Sequence, residues 1–91
     1  MGRATLSLFP SSSVAIIDAA DFERADRCRW FLYTERDGIT VHVARNAFLH
    51  GKYSVQFLEC FLLDTGWATK APVRFVDGNR LNCTRANLVV E

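Results

Sequence analysis

Few side chains in this 91-residue sequence could hold a metal ion or transfer a proton. Histidine occurs only as His42, in an alternating segment typical of a strand, and as His50, in a turn-like segment. We expect His42 to be a surface or hydrogen-bonded residue and His50 to be a turn residue, and neither to be a catalytic base. The cysteines lack a CxxC pair, which disfavours a structural zinc site and favours reduced, buried thiols. They are Cys28, Cys60 and Cys83.

The charge balance is almost even, with 11 Lys and Arg residues against 10 Asp and Glu residues. A net charge of +1 supplies no strong non-specific attraction to a phosphate backbone. The basic residues near the first helix and the hairpin are interleaved with acidic ones, which is typical of a solvated surface. Trp67 lies in the loop-like stretch DTGWATKAP and either anchors an interface or covers a small core. The candidate binding residues are Arg27, Arg29, Arg36, Arg45, Lys52 and Trp67.

The elements that position these residues begin with two short extended segments, TLSLF and SVAIID, separated by a proline and three serines. Asp18 is a suitable helix N-cap, and Asp21 follows at the position where a capping box has its acidic residue. A helix through AADFERADR is therefore predicted, with Phe22 facing the core. The next segment, WFLYTE, is expected to be a strand that starts with a core Trp30.

Three segments in the middle of the chain predict an antiparallel meander. Asp37-Gly38 lies between two apolar segments and is a strong signal for a β-hairpin. In the following strand, ITVHVAR, Ile39, Val41 and Val43 are expected on one face and His42 on the other. A third strand follows in YSVQF, where aromatic and aliphatic residues alternate with polar ones.

The remainder of the chain is predicted to contain short helices and one brief extended piece. LECFLLDTG favours a helix that ends near Gly66, since glycine is a common C-cap residue. APVRFV is expected to be extended, DGN to form a turn, and LNCTRANLVV to form a short final helix that leads into an apolar end. That end could pair at a sheet edge. The fold class is therefore α+β, a three-stranded antiparallel meander with short helices, in a single domain over residues 1–91.

Two stretches resemble phage HNH homing-type endonucleases that have an AP2-like strand region. IIDAADFERADRCRW, residues 16 to 30, is similar to the pattern VD-x-x-DFE-x-x-x-x-x-x-W, and VRFVDGNRLNCTRANL, residues 73 to 88, aligns without a gap with VDHINGDGLDNRRSNL. The resemblance covers almost the full length and implies one HNH-like/AP2-like domain whose C-terminal part is a degenerate ββα-type nuclease motif. The matching residues are mostly structural: Asp18, Asp21, Phe22, Trp30, Gly78, Leu81, Arg85, Asn87 and Leu88.

The resemblance also implies where a nuclease site would lie, and most of its residues are replaced. An HNH site holds one divalent cation with a carboxylate and a late Asn or His, and a His activates water. Arg74 and Phe75 stand at the Asp and His positions, Cys83 replaces a supporting Asn, and Asn87 is retained. A guanidinium repels a dication by several kcal/mol at contact distance, and a phenyl ring cannot accept a proton. We expect no metal, no cofactor and no nuclease activity, unless Asp77 replaces the lost carboxylate.

A chain of this kind is expected to act by binding. The favoured hypothesis is a small inhibitor of a host defence complex, similar to an anti-CRISPR protein, that uses protein–protein contacts through the hairpin face and Trp67. The alternative is a non-cleaving module whose basic strand residues face a groove of double-stranded DNA. Either would work in the cytoplasm of a bacterial host cell, because the sequence contains neither a signal-like apolar start nor about 20 consecutive apolar residues. The oligomeric state is left open.

Overall fold

In the part of the chain that the structure describes, short antiparallel strands and two short α-helices form an α+β fold, as predicted. The computed structural model describes residues 2–9, 12–49, 51–63 and 73–90. His50, Trp67 and the predicted helix end at Gly66 lie outside these ranges. No helix within them is both long and apolar enough to cross a bilayer. The elements are β1 (Arg3–Ser7), β2 (Val14–Asp18), α1 (Ala19–Ala25), β3 (Phe31–Thr34), β4 (Val41–Leu49), β5 (Lys52–Phe57), α2 (Leu58–Leu63), β6 (Val73–Phe75), a 3-10 turn (Arg85–Asn87) and β7 (Leu88–Val90).

The predicted three-stranded meander is confirmed as the antiparallel sheet β3-β4-β5. Phe31 of β3 pairs with Ala44 of β4, and Ala44 also pairs with Phe57 of β5. In the β3–β4 turn Gly38 has a φ of 71°, and Asp37 Oδ1 accepts two backbone hydrogen bonds at 2.8 Å. Because β4 continues beyond the start of β3, its second half pairs with β5 alone.

The first hairpin, β1-β2, is bound to the C-terminal segment through backbone hydrogen bonds. The Ile16 N–H donates to the Leu81 carbonyl, and the Cys83 N–H donates to the Ile16 carbonyl, both at 2.7 Å. The apolar end of the chain then forms β7, which pairs with β6 of the same chain. The N-terminal hairpin and the segment before β7 therefore lie side by side.

The hydrophobic core contains residues from the β1-β2 hairpin, the meander, α2 and the C-terminal segment. Trp30 is 1% exposed, and its Nε1–H donates to the Ala25 carbonyl at 2.8 Å, so its predicted place in the core is confirmed. The Trp30 ring packs edge-on against Phe61 of α2, with 5.3 Å between the ring centroids. Other fully buried side chains include Leu6, Leu8, Ile17, Val43, Leu58, Leu62 and Cys83.

A network of charged hydrogen bonds joins α1, α2 and the C-terminal turn. Asp21 is 6% exposed and accepts two hydrogen bonds of 3.0 Å from the Arg85 guanidinium. Arg85 also donates to the Leu62 carbonyl at 2.9 Å, near the end of α2, where carbonyls have no partner within the helix. Arg24 donates to the same carbonyl at 3.2 Å. The Arg85 guanidinium holds the pKa of Asp21 below its ordinary value.

Several local predictions are wrong because a contact distant in sequence replaces the local one. The N-cap position predicted for Asp18 is confirmed, but the side chain makes no cap bond; its Oδ2 accepts from the Arg85 N–H at 3.0 Å. Phe22, predicted to face the core, is 36% exposed, because α1 buries the face that carries Asp21. In place of the predicted final helix, residues 85–87 form a single 3-10 turn that leads into β7.

Two further predictions hold only in part. Val43 is 1% exposed in the core, but Ile39, expected on the same face, precedes β4 and is 82% exposed. Cys60 and Cys83 are buried free thiols, as predicted, whereas the free thiol of Cys28 is half-buried. Because Ile39 lies outside the strand, the core-facing row of β4 is shorter than the alternation in ITVHVAR predicts.

The Asp21–Arg85 pair predicts that stability depends on pH. We expect Asp21→Asn to lower the free energy of unfolding by about 1–2 kcal/mol at pH 7, because it removes a charge-assisted pair between the buried Asp21 and the half-exposed Arg85. Since folding lowers the pKa of Asp21, its stabilisation is complete above the unfolded-state pKa of about 3.9 and is lost as the pH falls through the folded-state value. Urea unfolding of both proteins at pH 7 and near pH 2.5 should therefore show a difference that shrinks in acid.

The matched control for this measurement is Asp26→Asn, at the exposed C-cap of the same helix. It should change the free energy of unfolding by less than about 0.5 kcal/mol. Equal effects of the two substitutions at pH 7 would contradict the structural role of Asp21.

Candidate functional site

The two residues at the HNH Asp and His positions point to opposite sides of β6. Arg74 is exposed, whereas Phe75 is 7% exposed and belongs to the core. Neighbouring side chains of a strand alternate between its faces, so the two side chains do not share a cavity. The Arg80 guanidinium lies over the Phe75 ring, 5.4 Å from the centroid. The position that the resemblance assigns to the general base therefore holds a core aromatic ring.

Asn87, to which the resemblance assigns a metal-ligand position, is hydrogen-bonded through both atoms of its amide within the loop that follows β6. Its Oδ1 accepts from the Asp77 N–H at 3.0 Å. Its Nδ2 donates to Asp77 Oδ1 at 2.9 Å and to the Asn82 carbonyl at 2.8 Å. The residue is 7% exposed. Its amide therefore closes the 77–82 loop, and binding a cation would require it to give up these partners.

Asp77 and Cys83 also serve the local structure. Asp77 Oδ2 accepts from Asn82 Nδ2 at 2.9 Å, and Asp77 Oδ1 accepts from the Asn79 N–H at 2.8 Å. These hydrogen bonds, that from Asn82 above all, hold the pKa of Asp77 below its ordinary value. Cys83 is completely buried, and burial raises the pKa of its thiol, so the thiol is protonated at neutral pH. Among the residues that the structure describes, no three or more His, Cys, Asp or Glu side chains are grouped to hold a metal ion.

The outer face of the meander exposes a row of aromatic rings, which we call the aromatic face. Directly paired residues in antiparallel strands share a face, so Tyr33 and His42 lie side by side, as do Phe48 and Tyr53. Phe57 lies on the same face. Tyr53 is 78% exposed, Phe48 63% and Tyr33 40%. The alternation in YSVQF predicts that Tyr53 and Phe57 share a face. The sequence signal for the aromatic face is the presence of aromatic residues on both strands of the β4–β5 hairpin.

His42 lies at the end of the aromatic face that is nearest the β3–β4 turn, and it is buried, at 6% exposure. Its Nε2 pairs closely with the Glu35 carboxylate, whereas its Nδ1 is buried without a hydrogen-bond partner. Of the two predicted alternatives, a surface residue or a hydrogen-bonded one, the second is confirmed at Nε2, although Nδ1 lacks a hydrogen-bond partner among the described residues. The ring stacks on Phe57, with 4.1 Å between centroids. Glu59 lies 3.9 Å from Nδ1, and burial raises the pKa of Glu59.

Three of the predicted binding residues surround one pocket at an edge of the meander. Arg45 Nε donates to Gln56 Oε1 at 2.8 Å, which fixes the direction of its guanidinium. The Arg29 guanidinium lies 4.8 Å from the Phe9 ring centroid. Arg27 forms an exposed ion pair of 3.8 Å with Glu23. The pocket has a volume of about 250 Å³ and is lined by Arg27, Cys28, Arg29, Phe31, Arg45 and Asn46.

The other predicted binding residues lie elsewhere. Arg36 lines a second pocket, beside the β3–β4 turn, with Tyr33 and Glu35. Lys52 is exposed at the start of β5. Trp67 is outside the described residues. The basic set therefore divides between separate places and does not form one continuous array within the described ranges.

Comparisons with protein-family models, with curated proteins and with solved structures find no significant match to this chain. The HNH resemblance therefore depends on the residues of the two aligned stretches alone.

The bonding of Asn87 predicts a structural role. Asn87→Ala would leave the Asp77 N–H and the Asn82 carbonyl without their partners, and we expect the free energy of unfolding to fall by about 1–3 kcal/mol. Urea unfolding measures this effect. Asn46→Ala, at an exposed asparagine of β4, is the matched control and should change stability by less than about 0.5 kcal/mol. An unchanged stability of Asn87→Ala would contradict the role of this side chain in closing the loop.

Proposed function

We propose that this chain is a catalytically inactive, HNH-like protein of phage or mobile-element type that inhibits a host defence complex by binding one of its proteins. The HNH resemblance supports the origin of the scaffold. The loss of catalysis is supported by the use of its key positions, since Phe75 and Cys83 complete the core and Asn87 closes a loop. A scaffold with these replacements retains a shape that can bind a partner.

The observation that carries the proposal is the aromatic face. Phe48 and Tyr53 contact each other edge-on, with 5.0 Å between centroids, at the far end of the β4–β5 hairpin. Both rings are more than half exposed. Aromatic side chains bury large areas and are enriched at the centre of protein interfaces. This face therefore supports binding to another macromolecule.

Charge favours a protein over a nucleic acid as that partner. The whole chain carries a net charge of only +1, so it lacks the surplus that dominates affinity for a phosphate backbone. On the aromatic face the carboxylates of Glu35 and Asp37 lie near the exposed ring of Tyr33. Acidic groups beside an aromatic surface repel phosphates and suit a protein with basic side chains.

A capture experiment tests the proposal. The tagged chain, mixed with lysate of a bacterium that has a CRISPR-type defence system, should capture a component of that system, identified by mass spectrometry. Expression of the chain in the same cells should raise the plating efficiency of a phage that the system restricts. The double variant Phe48→Ser/Tyr53→Ser should weaken capture at least about tenfold, because two interface rings are lost.

The matched control is Phe9→Ser, which removes a 59%-exposed ring outside the meander and should leave capture unchanged. Equal capture by the double variant and the wild type would exclude the aromatic face as the binding surface. Cleavage of plasmid DNA with magnesium or manganese, abolished by a chelator, would contradict the loss of catalysis.

The second candidate function is a non-cleaving DNA-binding module, favoured by the pocket that Arg27, Arg29 and Arg45 surround. Under the main proposal we expect no mobility shift of any duplex at about 50 mM salt. DNA binding would instead give a shift whose affinity falls with salt, with a log–log slope of about −0.9 for each phosphate contacted. Arg29→Gln would then reduce that slope by about one, whereas Arg3→Gln in β1 would not.

A further inference from the structure

We infer that the pocket beside the β3–β4 turn receives the guanidinium group of an arginine side chain from the protein partner. This inference rests on the proposed function, because it assigns one pocket of the aromatic face to one chemical group of that partner. The pocket has a volume of about 480 Å³ and is lined by Tyr33, Glu35, Arg36, Asp37, His42 and Phe57.

Aromatic rings form the walls of this pocket. The ring centroids of Tyr33 and Phe57 are 5.9 Å apart, with 42° between their planes. The His42 ring lies parallel to Phe57, and Tyr33 lies 6.4 Å from His42. A cation within about 6 Å of an aromatic centroid is attracted by the ring, and a planar guanidinium also stacks on its face. The rings of Tyr33 and Phe57, which line the pocket, therefore favour a flat cation as its occupant.

Two carboxylates supply the charge. The Glu35 side chain is 46% exposed; its Oε2 pairs with His42, and no residue in the described ranges donates to its Oε1. The hydrogen bond from the Thr40 hydroxyl, with those from the Thr40 and Ile39 amides, lowers the pKa of Asp37 to about 2. Asp37 is therefore ionised at physiological pH. One carboxylate can bond an incoming donor while the other strengthens the local negative potential.

Among possible occupants, this chemistry favours arginine. An anionic group would be repelled by the carboxylates of Glu35 and Asp37, with Arg36 the one guanidinium in the lining. An apolar group would desolvate the Glu35 carboxylate without offering a hydrogen bond. A lysine ammonium would satisfy the charge but lacks the planar fork that stacks on rings and bonds a carboxylate at the same time. Arg36 itself is exposed and is the intramolecular competitor for the same carboxylates.

An NMR titration of the isotopically labelled chain tests the pocket without the partner. The probe is N-acetyl-arginine amide, and the neutral isostere N-acetyl-citrulline amide is the matched ligand. We expect saturable shifts at the β3–β4 hairpin and at Phe57, with a dissociation constant on the order of 1–10 mM for arginine. Citrulline should bind at least about tenfold more weakly, and N-acetyl-lysine amide about threefold more weakly. Equal shifts with citrulline, shifts centred on another surface, or the lack of saturable shifts would overturn the inference.

Variants resolve the contribution of each group. Glu35→Gln should weaken arginine binding about tenfold, and Tyr33→Leu about threefold. Arg36→Gln removes the competitor and should strengthen binding about twofold. Glu23→Gln, at an exposed carboxylate of α1 outside the pocket, is the control and should have no effect. If Glu35→Gln fails to fold, the wild-type titration and Arg36→Gln still decide the outcome.

The capture experiment separates this inference from the proposed function. If the wild-type chain captures a partner and folded Glu35→Gln captures it equally well, the arginine pocket is wrong while the binding function stands. If arginine amide binds the pocket but no defence protein is captured, the pocket chemistry is upheld and the proposed function fails.

Discussion

The bidentate pair between Asp21 and Arg85 is the interaction on which the rest of this structure depends. It joins residues 64 positions apart, and the same guanidinium binds the Leu62 carbonyl near the end of α2. The helices α1 and α2 have only seven and six residues, and helices of that length are marginal in isolation. Their stability therefore comes from tertiary contacts, and Arg85 links both helices to the C-terminal turn. With that link in place, Trp30 and Phe61 can pack in the core beneath it.

The residues that carry the HNH resemblance have structural roles in this chain. Asp21 and Arg85 form the central pair, Trp30 fills the core, and Asn87 closes the loop after β6. The position that the resemblance assigns to a catalytic base is occupied by Phe75, which adds to the core at the point where a polar group would need a partner. A scaffold can keep its hydrogen-bond framework after the groups for metal binding are replaced, because the two sets of residues make different contacts.

The two faces of the meander differ in a way that bears on function. One face packs Val43 against the core, and the other exposes Tyr33, Phe48 and Tyr53. Exposed rings gain little from folding, and a row of them on one face supports the proposal that this face binds a partner. Beside this row, the buried His42 lies between the carboxylates of Glu35 and Glu59. At its turn end the face combines apolar area with the carboxylates of Glu35 and Asp37 and the guanidinium of Arg36, a combination that supports the proposed protein partner with basic side chains.

The sequence by itself determined those features that depend on neighbouring residues. The Asp37-Gly38 turn and the alternation around it produced the meander, and the size of Trp30 placed that residue in the core. Tertiary structure alone decided which face of the meander is covered, since both faces carry apolar residues and a period of two cannot rank them. It also turned Phe22 outward, buried His42 and replaced the final helix with a 3-10 turn and a strand. Phe22 faces outward because Asp21 of the same helix pairs with Arg85, and the final turn leads into a strand because β7 pairs with β6. His42 is buried close to Glu59. Partners so distant in sequence become neighbours only when the chain has folded.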